Sequence, residues 1–436
     1  MPSPDKINEY LIRICEQVRW REIRPRIETE LRDHILDQRD AYMSKGIDEA
    51  AATERAIAET GDAAMLGSQF DRAHRPPQKG LLALTFVLLA IGLLTRMFIF
   101  NDEDYYGFFF IRFLGSVIGT GALLAAYRAD YTLIGKYPKI FCCAVLTLFV
   151  IVPTPSDNSF YYVFYAQYVI LLFPLALAAV IFAAGNGGYR GLLVSEGAFA
   201  LMLFAAFAAP SVSGGLLFFV SSETLLCVAV GKRWFGVRRL TGFLITLGTA
   251  AVCAAILLAG VPASGWNRVV IAFNPEIDPN AAGYTAVMTK TLLSGAKWIG
   301  QGAVPNEYGF AYHQAGFFQT DLLLTHLIVS LGWVSFVILM AILLFFIIKG
   351  FALCLRQRSR LGLLVSLAVM STFAAQVALY VVYNLGFQLF APISLPLLSY
   401  GNTATIVNMG LIGVMLSVFR TAGAGGAAPI RRKTSS

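Results

Sequence analysis

Charge is what this chain has least of. Only 14% of its 436 residues are Asp, Glu, Lys or Arg, against about 25% in a soluble domain. A soluble enzyme, a secreted domain and a nucleic-acid binder are thereby excluded. Histidine and cysteine are scarce too, at four and six residues. His313 and His326 flank Asp321 without metal-ligand spacing. Cys15, Cys142, Cys143, Cys227, Cys253 and Cys354 neither follow a metal-binding spacing nor pair across an outer loop, so no resident metal and no disulfide framework follow from them. The first 78 residues lack the apolar stretch of a secretory signal peptide.

What fills the chain instead is apolar: 57% hydrophobic residues and a mean hydropathy of +0.66. Ten runs, each near the length needed to cross a ~30 Å hydrocarbon core, begin at residue 81: Leu81–Phe100, Tyr106–Tyr127, Tyr137–Val152, Tyr162–Ala184, Leu192–Ala209, Val212–Val230, Leu240–Leu258, Leu322–Ile348, Leu361–Tyr383 and Thr403–Phe419. Every second connection is basic, with Arg128, Lys136 and Lys139, then Arg190, then Lys232, Arg233, Arg238 and Arg239, then Lys349, Arg356, Arg358 and Arg360. The intervening stretches Asn101–Tyr105, Pro153–Tyr161 and Asn384–Asn402 contain no Lys or Arg. By the positive-inside rule this predicts an all-α, multi-pass protein of ten spans with both termini cytoplasmic.

Residues 1–78 hold 12 Lys/Arg against 15 Asp/Glu, and the rest of the chain 22 against 11. The net +8 is therefore a topology signal of the membrane part. The prefix reads as short amphipathic helices: Ile12, Ile14, Val18 and Ile23 lead to Ile27, Leu31, Ile35 and Leu36, Gly46 breaks the pattern, and Asp48 caps a helix through Ile57. Gly61-Asp62 opens another before Met65, Leu66 and Phe70, and Arg75-Pro76-Pro77 closes the unit. It resembles the DUF1700-like helical domains ahead of some bacterial membrane proteins, which implies a docking or regulatory role. The expected organisation is a cytoplasmic prefix at 1–78, a membrane domain at 79–420 and a tail at 421–436. The connection at 259–321 is far longer than a simple connector needs, and within it Tyr284–Ile299 is expected as an amphipathic helix on the membrane surface.

Ionisable residues at membrane depth are the candidates for chemistry. Arg96 and Arg112 either snorkel to the interface or pair with Asp102, Glu103 or Asp104. Glu196 and Glu223 are either proton-coupling carboxylates or buried, paired ones. Asp321, at the outer mouth of the eighth run, is either a partly desolvated general base or the N-cap of the helix that follows.

Four stretches resemble the shape, elongation, division and sporulation (SEDS) family, the RodA/FtsW/SpoVE group. They are Asn267–Val270 with Asn274–Pro279 and Gly283-Tyr284; Ser294–Gly302; Gln319-Thr320-Asp321 with Leu331-Gly332-Trp333; and Leu395–Thr403 with Ile406-Val407-Asn408. The resemblance implies a peptidoglycan glycosyltransferase that polymerises lipid II at the outer face of a bacterial cytoplasmic membrane, with Asp321 catalytic. It implies a class B penicillin-binding protein as partner and no organic cofactor. The departing pyrophosphate needs a divalent cation (Mg²⁺ or Mn²⁺) or fixed cations. Arg268, Lys290 and Lys297 are the Lys/Arg residues of the long loop, available for that role or for orienting the loop on anionic headgroups. Ser399, Tyr400 and Gly401 are expected to shape the outer cavity, unless they merely form a tight turn.

The sequence departs from the family pattern in places. Val329 and Ser330 stand where the family often has two acids, Gly300-Gln301-Gly302 loses a turn lysine, and Asn402-Thr403-Ala404 follows Ser399-Tyr400-Gly401. A transporter of a lipid-linked precursor, with Glu196 and Glu223 on its path, and a non-catalytic scaffold are the alternatives those changes leave open.

Overall fold

The computed structural model describes residues 4–18, 24–73, 78–99, 109–151, 159–209, 211–314, 320–399 and 401–425. It divides into two compact units, one of residues 1–79 with 419–436 and one of residues 80–418.

The first unit contains α1 (Pro4–Gln17), α2 (Arg24–Met43), α3 (Glu49–Thr60) and α4 (Ala63–Ala73). Apolar residues at helical spacing, Ile7, Tyr10, Leu11, Ile14 and Val18 from α1 and its end, and Ile27, Leu31 and Ile35 from α2, bury into one core with Ala56. The expected caps form. Asp48 accepts from the Ala50 amide at 3.2 Å and Asp62 from the Met65 amide at 2.8 Å, satisfying donors that a helix start leaves unpaired. Ile12, by contrast, faces outward. Ile23 and Arg75-Pro76-Pro77 lie outside the described residues.

The second unit is all helix: α5 (Gln78–Ile99), α6 (Phe109–Arg128), α7 (Thr132–Lys136), α8 (Pro138–Ile151), α9 (Ser159–Ile170), α10 (Phe173–Ala184), α11 (Gly188–Ala208), α12 (Val212–Gly231) and α13 (Arg239–Ala259) lead to the loop helices α14 (Ala263–Phe273), α15 (Tyr284–Ser294) and α16 (Asn306–Gln314). Then come α17 (Leu323–Leu331), α18 (Trp333–Leu355), α19 (Arg360–Asn384) and α20 (Asn402–Gly425). Among the described residues, seven helical stretches are long and apolar enough to cross a membrane, and three shorter apolar helices, at Lys79–Thr95, Phe113–Arg128 and Pro138–Ile151, stand at the first three expected spans. α19 is the hub. It is apolar on all sides and packs against α10, α12 and α18, as a helix with no polar face must. α13 and α18 turn Leu240, Leu244, Ile256, Leu344 and Ile348 outward, where lipid is the only medium that suits them.

Two expectations are corrected. The eighth span is not continuous from Leu322: it breaks at Gly332, which sits at φ +97° between α17 and α18. The helix expected over Tyr284–Ile299 ends at Ser294 and buries Ala286, Met288 and Leu292. The reason is a small core within the loop, in which Met288, Leu292, Tyr312, Leu322 and Val329 pack together. α15 is therefore a buried element and not a free surface helix.

Candidate active site

Thr320-Asp321 forms a turn immediately before α17, and α19 holds that turn from below. Tyr380 and Asn384 lie one helical turn apart on α19, so their side chains share a face. The Tyr380 hydroxyl donates to the Thr320 carbonyl at 2.7 Å and accepts from the Leu323 amide at 3.1 Å. The Asn384 amide nitrogen donates to the Asp321 carbonyl at 2.8 Å, and its oxygen accepts from the Thr325 amide at 3.1 Å. Thr325 Oγ1 returns a bond to the Asn384 carbonyl at 3.0 Å. Four bonds to the 320–325 backbone are thus made by two buried side chains of the hub helix.

Asp321 is not a helix cap. The N-cap of α17 is Leu322, and no side chain caps it. The Asp321 carboxyl is half-buried, and burial pushes its pKa up to about 6, against which a hydrogen bond from Thr320 works only partly. The phenols of Tyr168, Tyr380 and Tyr383 lie within its electrostatic reach. Tyr168 links it to the C-terminal motif, since a Cβ on Gly401 would lie 3.9 Å from the Tyr168 hydroxyl. Ser399 is buried, with Oγ donating to the Leu395 carbonyl at 3.2 Å. Tyr400 lies outside the described residues.

Of the three loop cations, Lys290 comes nearest this framework. Its aliphatic stem lies on Gly386, where a Cβ would meet Lys290 Cγ at 2.8 Å, two residues beyond Asn384. Beside it, Thr289 Oγ1 accepts from Gln388 Nε2 at 3.1 Å. Lys290 also borders an open groove of about 430 Å³ lined by Phe273, Asn274, Pro275, Glu276 and Ile277. Arg268 and Lys297 are exposed on α14 and on the turn after α15. The described residues hold no group of three His, Cys, Asp or Glu side chains suited to a metal. The residues around Asp321 therefore do not fit a divalent cation held by protein side chains alone. The side chains of Arg96, Arg112 and His313, and residues 101–108, lie outside the described part.

The loop is tied to the broken span by main chain. Trp333 and Val334 amides donate to the Lys297 and Trp298 carbonyls at 3.0 and 3.1 Å, and the Gly300 and Gly302 amides donate to Leu331 and Val329 at 3.0 and 2.8 Å. A Cβ at Gly332 would stand 2.5 Å from the Trp298 carbonyl oxygen, which explains glycine there.

Residues 165–423, more than half of the chain, match the FtsW/RodA/SpoVE family of cell cycle proteins. The chain belongs to that family. Among curated FtsW/RodA/SpoVE relatives, the probable peptidoglycan glycosyltransferase FtsW of Trichlorobacter lovleyi is 20% identical over 205 residues, 47% of this chain and 51% of that protein. The peptidoglycan glycosyltransferase MrdB of Escherichia coli K12 is 27% identical over 155 residues, 35% and 41% of the two chains. The probable FtsW of Geobacter metallireducens is 22% identical over 335 residues, covering 72% and 85%. The chain spans about half the length of the first two. A chain of a peptidoglycan synthase complex shares the fold at TM-score 0.58 and 20% identity, covering 79% of this chain and 97% of that one. The Thermus thermophilus rod shape determining protein RodA does so at 0.50 and 16%, covering 79% and 96%.

Within the FtsW/RodA/SpoVE frame the two missing acids have a structural account. Val329 is fully buried in the loop core, and Ser330 Oγ bonds the Tyr312 hydroxyl at 2.8 Å, while Tyr312 stacks on His326 at 4.9 Å. Both positions serve the loop's own packing. The residues that sequence reasoning missed are Tyr168, Tyr380 and Asn384. Tyr168 and Tyr380 stand inside apolar runs and Asn384 just past the end of one, and the bonds of Tyr380 and Asn384 to distant backbone leave no pattern of residues.

Proposed function

We propose that this chain is a glycosyltransferase that polymerises lipid II, the undecaprenyl-pyrophosphate-linked disaccharide, at the outer face of a bacterial cytoplasmic membrane, with both its termini on the cytoplasmic side. The observation that carries the reading is the carboxylate of Asp321: half-buried, with its pKa raised to about 6 and its backbone locked by Tyr380 and Asn384. A base with a pKa just below neutral is both ionised and basic enough to work at pH 7.

In this reading Asp321 takes the proton from the acceptor sugar hydroxyl as that oxygen attacks the anomeric carbon of the donor. The bond from that carbon to the pyrophosphate oxygen breaks, and the lipid pyrophosphate leaves with the electron pair. The proton on Asp321 then passes to solvent or to the departing phosphate. Lys290, exposed and without an ion pair to any described residue, is the cation best situated to offset the developing charge. Arg268 and Lys297 are further candidates for contact with the pyrophosphate or with anionic headgroups. A Mg²⁺ or Mn²⁺ ion would enter with the pyrophosphate, since the described residues supply no ligand set. A class B penicillin-binding protein is the expected partner, and the helical prefix the expected docking or regulatory element.

The test is polymerisation of labelled lipid II by the purified full-length protein, with candidate partners and with each metal. Glycan ladders that disappear in Asp321→Asn, and weaken in Lys290→Ala mainly through kcat, are expected. Ladders that survive Asp321→Asn would remove the base from the mechanism. No ladder under any condition, from a folded protein, would leave a scaffold or a lipid-precursor transporter.

A further inference from the structure

Away from Asp321, five buried polar side-chain atoms without a partner lie on two neighbouring helices, α11 and α12. Glu196 on α11 is 3% exposed. Its Oε1 accepts from Thr246 Oγ1 of α13 at 2.7 Å, and its Oε2 has no partner. On α12, both carboxylate oxygens of Glu223 and the hydroxyls of Ser221 and Ser222 are buried without a partner as well.

Helix geometry puts the two carboxylates at one depth. Glu196 lies eight residues after Gly188, where α11 starts, and Glu223 lies eight residues before Gly231, where α12 ends. At about 1.5 Å per residue, each is about 12 Å from the same end of the bundle. Thr246, seven residues into α13, is about 10 Å from it. That end carries Arg190, Lys232, Arg233 and Arg238, and 12 Å is well inside a ~30 Å hydrocarbon core. The two carboxyls interact with each other electrostatically, and both act on Cys227 of α12 and Cys253 of α13. α10, packed on both α11 and α12, has no titratable residue. α9 and α19, also packed on α12, bring Tyr165, Tyr168, Tyr380, Tyr383 and Arg360. Of these, Tyr168, Tyr380 and Tyr383 lie within reach of Asp321, and Arg360 bonds Asn186 at 3.0 Å.

We propose that Glu196 and Glu223 form a proton-binding site inside the bundle, holding one proton between the two carboxyls. Two bare carboxylates at one depth of a low-dielectric interior and within electrostatic reach of each other, with no ion pair to a described cation, are not a stable arrangement, because both desolvation and like-charge repulsion oppose it. One shared proton removes a charge and supplies the donor that the orphan oxygens lack, while Thr246 holds the remaining negative oxygen. A metal ion is the other way to neutralise the pair, but the described residues provide no third carboxylate, imidazole or thiolate in metal-binding array with them. The site is independent of the Asp321 chemistry. Its occupancy sets the charge between α11, α12 and α13, and therefore how closely those helices pack.

The test is infrared spectroscopy of the full-length protein in lipid nanodiscs at pH 8, where Asp321 is ionised. A protonated-carboxyl C=O stretch, shifted in D₂O and lost in the Glu196→Gln/Glu223→Gln double variant, is expected. The single Glu223→Gln variant, which keeps the shape and removes the repulsion, should melt at or above the wild-type temperature, with the advantage growing as pH rises. Absence of the band in the wild type, or its persistence in the double variant, would overturn the proposal. So would a Na⁺- or K⁺-dependent rise in melting temperature that Glu223→Gln abolishes, since the pair would then hold a cation.

Discussion

Asn384 donates its side-chain amide to the main-chain carbonyl of Asp321 at 2.8 Å while its amide oxygen accepts from the Thr325 amide at 3.1 Å. One residue at the end of the hub helix therefore holds both sides of the turn that carries Asp321, the proposed base. The position of the Asp321 backbone is set by main-chain bonds, and its carboxyl takes a hydrogen bond from Thr320.

Asn384→Leu keeps the volume and removes those bonds. Buried backbone groups left unpaired cost about 1–3 kcal/mol each, and a shift of about 1 Å at a catalytic group can lower the rate about 100-fold. Polymerisation should fall at least tenfold, in kcat more than in KM, with helix content by circular dichroism unchanged. Tyr380→Phe, which deletes one hydroxyl that serves two bonds, should act the same way and more weakly.

Asp321 makes activity and stability respond oppositely to pH. Its carboxyl holds a proton up to about pH 6 in the folded state, against an ordinary 3.8. Between those values the folded protein binds more protons than the unfolded chain, so stability falls as pH rises through that window. Activity needs the ionised form and rises through about pH 6 to a plateau. Asp321→Asn should abolish polymerisation yet melt above the wild type at pH 8, with the difference shrinking as pH falls towards 4. Melting curves of both proteins across that range check it.

Gly332→Ala tests the break between α17 and α18. An alanine at φ +97° is strained, and its Cβ would stand 2.5 Å from the Trp298 carbonyl oxygen. With ψ at 168° the backbone lies in a positive-φ region essentially confined to glycine, which costs an alanine about 1–3 kcal/mol, and the overpacking about 1–3 kcal/mol more. A clear drop in melting temperature is expected, with the 297–302 turn becoming open to limited proteolysis before the bundle unfolds.

Much of this architecture was legible in advance. Asp48 and Asp62 announce their caps because short-range geometry decides them, and the apolar runs announce spans because no soluble packing accommodates them. The break at Gly332 was hidden: Leu322–Leu331 is as apolar as the span after it, and only its burial against α15 and Tyr312, a contact distant in sequence, separates the two. Asp321 was legible as an outlier of charge, but the reading of it as a helix cap was equally open until Leu322 took that position. Tyr380 and Asn384 escaped notice because they act across 60 residues of sequence through backbone atoms, which leave no residue pattern.

Restoring the family's acids should fail. Val329→Asp puts a carboxylate into a site with no exposure and should unfold the loop core. Ser330→Glu breaks the bond to Tyr312 and should loosen α16. Protease cleavage within residues 284–314, compared with wild type, checks both. The loop has been repacked around apolar side chains, so charge there is not a neutral reversion.

The four amide-to-carbonyl bonds joining 297–302 to 329–334 have a bearing on variation. A segment fastened by its peptide groups asks nothing of its side chains beyond the glycines at close approach. Trp298 and Ile299 stand almost entirely free, at 74% and 76% exposure. They can drift through evolution, or be recoded for a new neighbour, without disturbing the register of that strip.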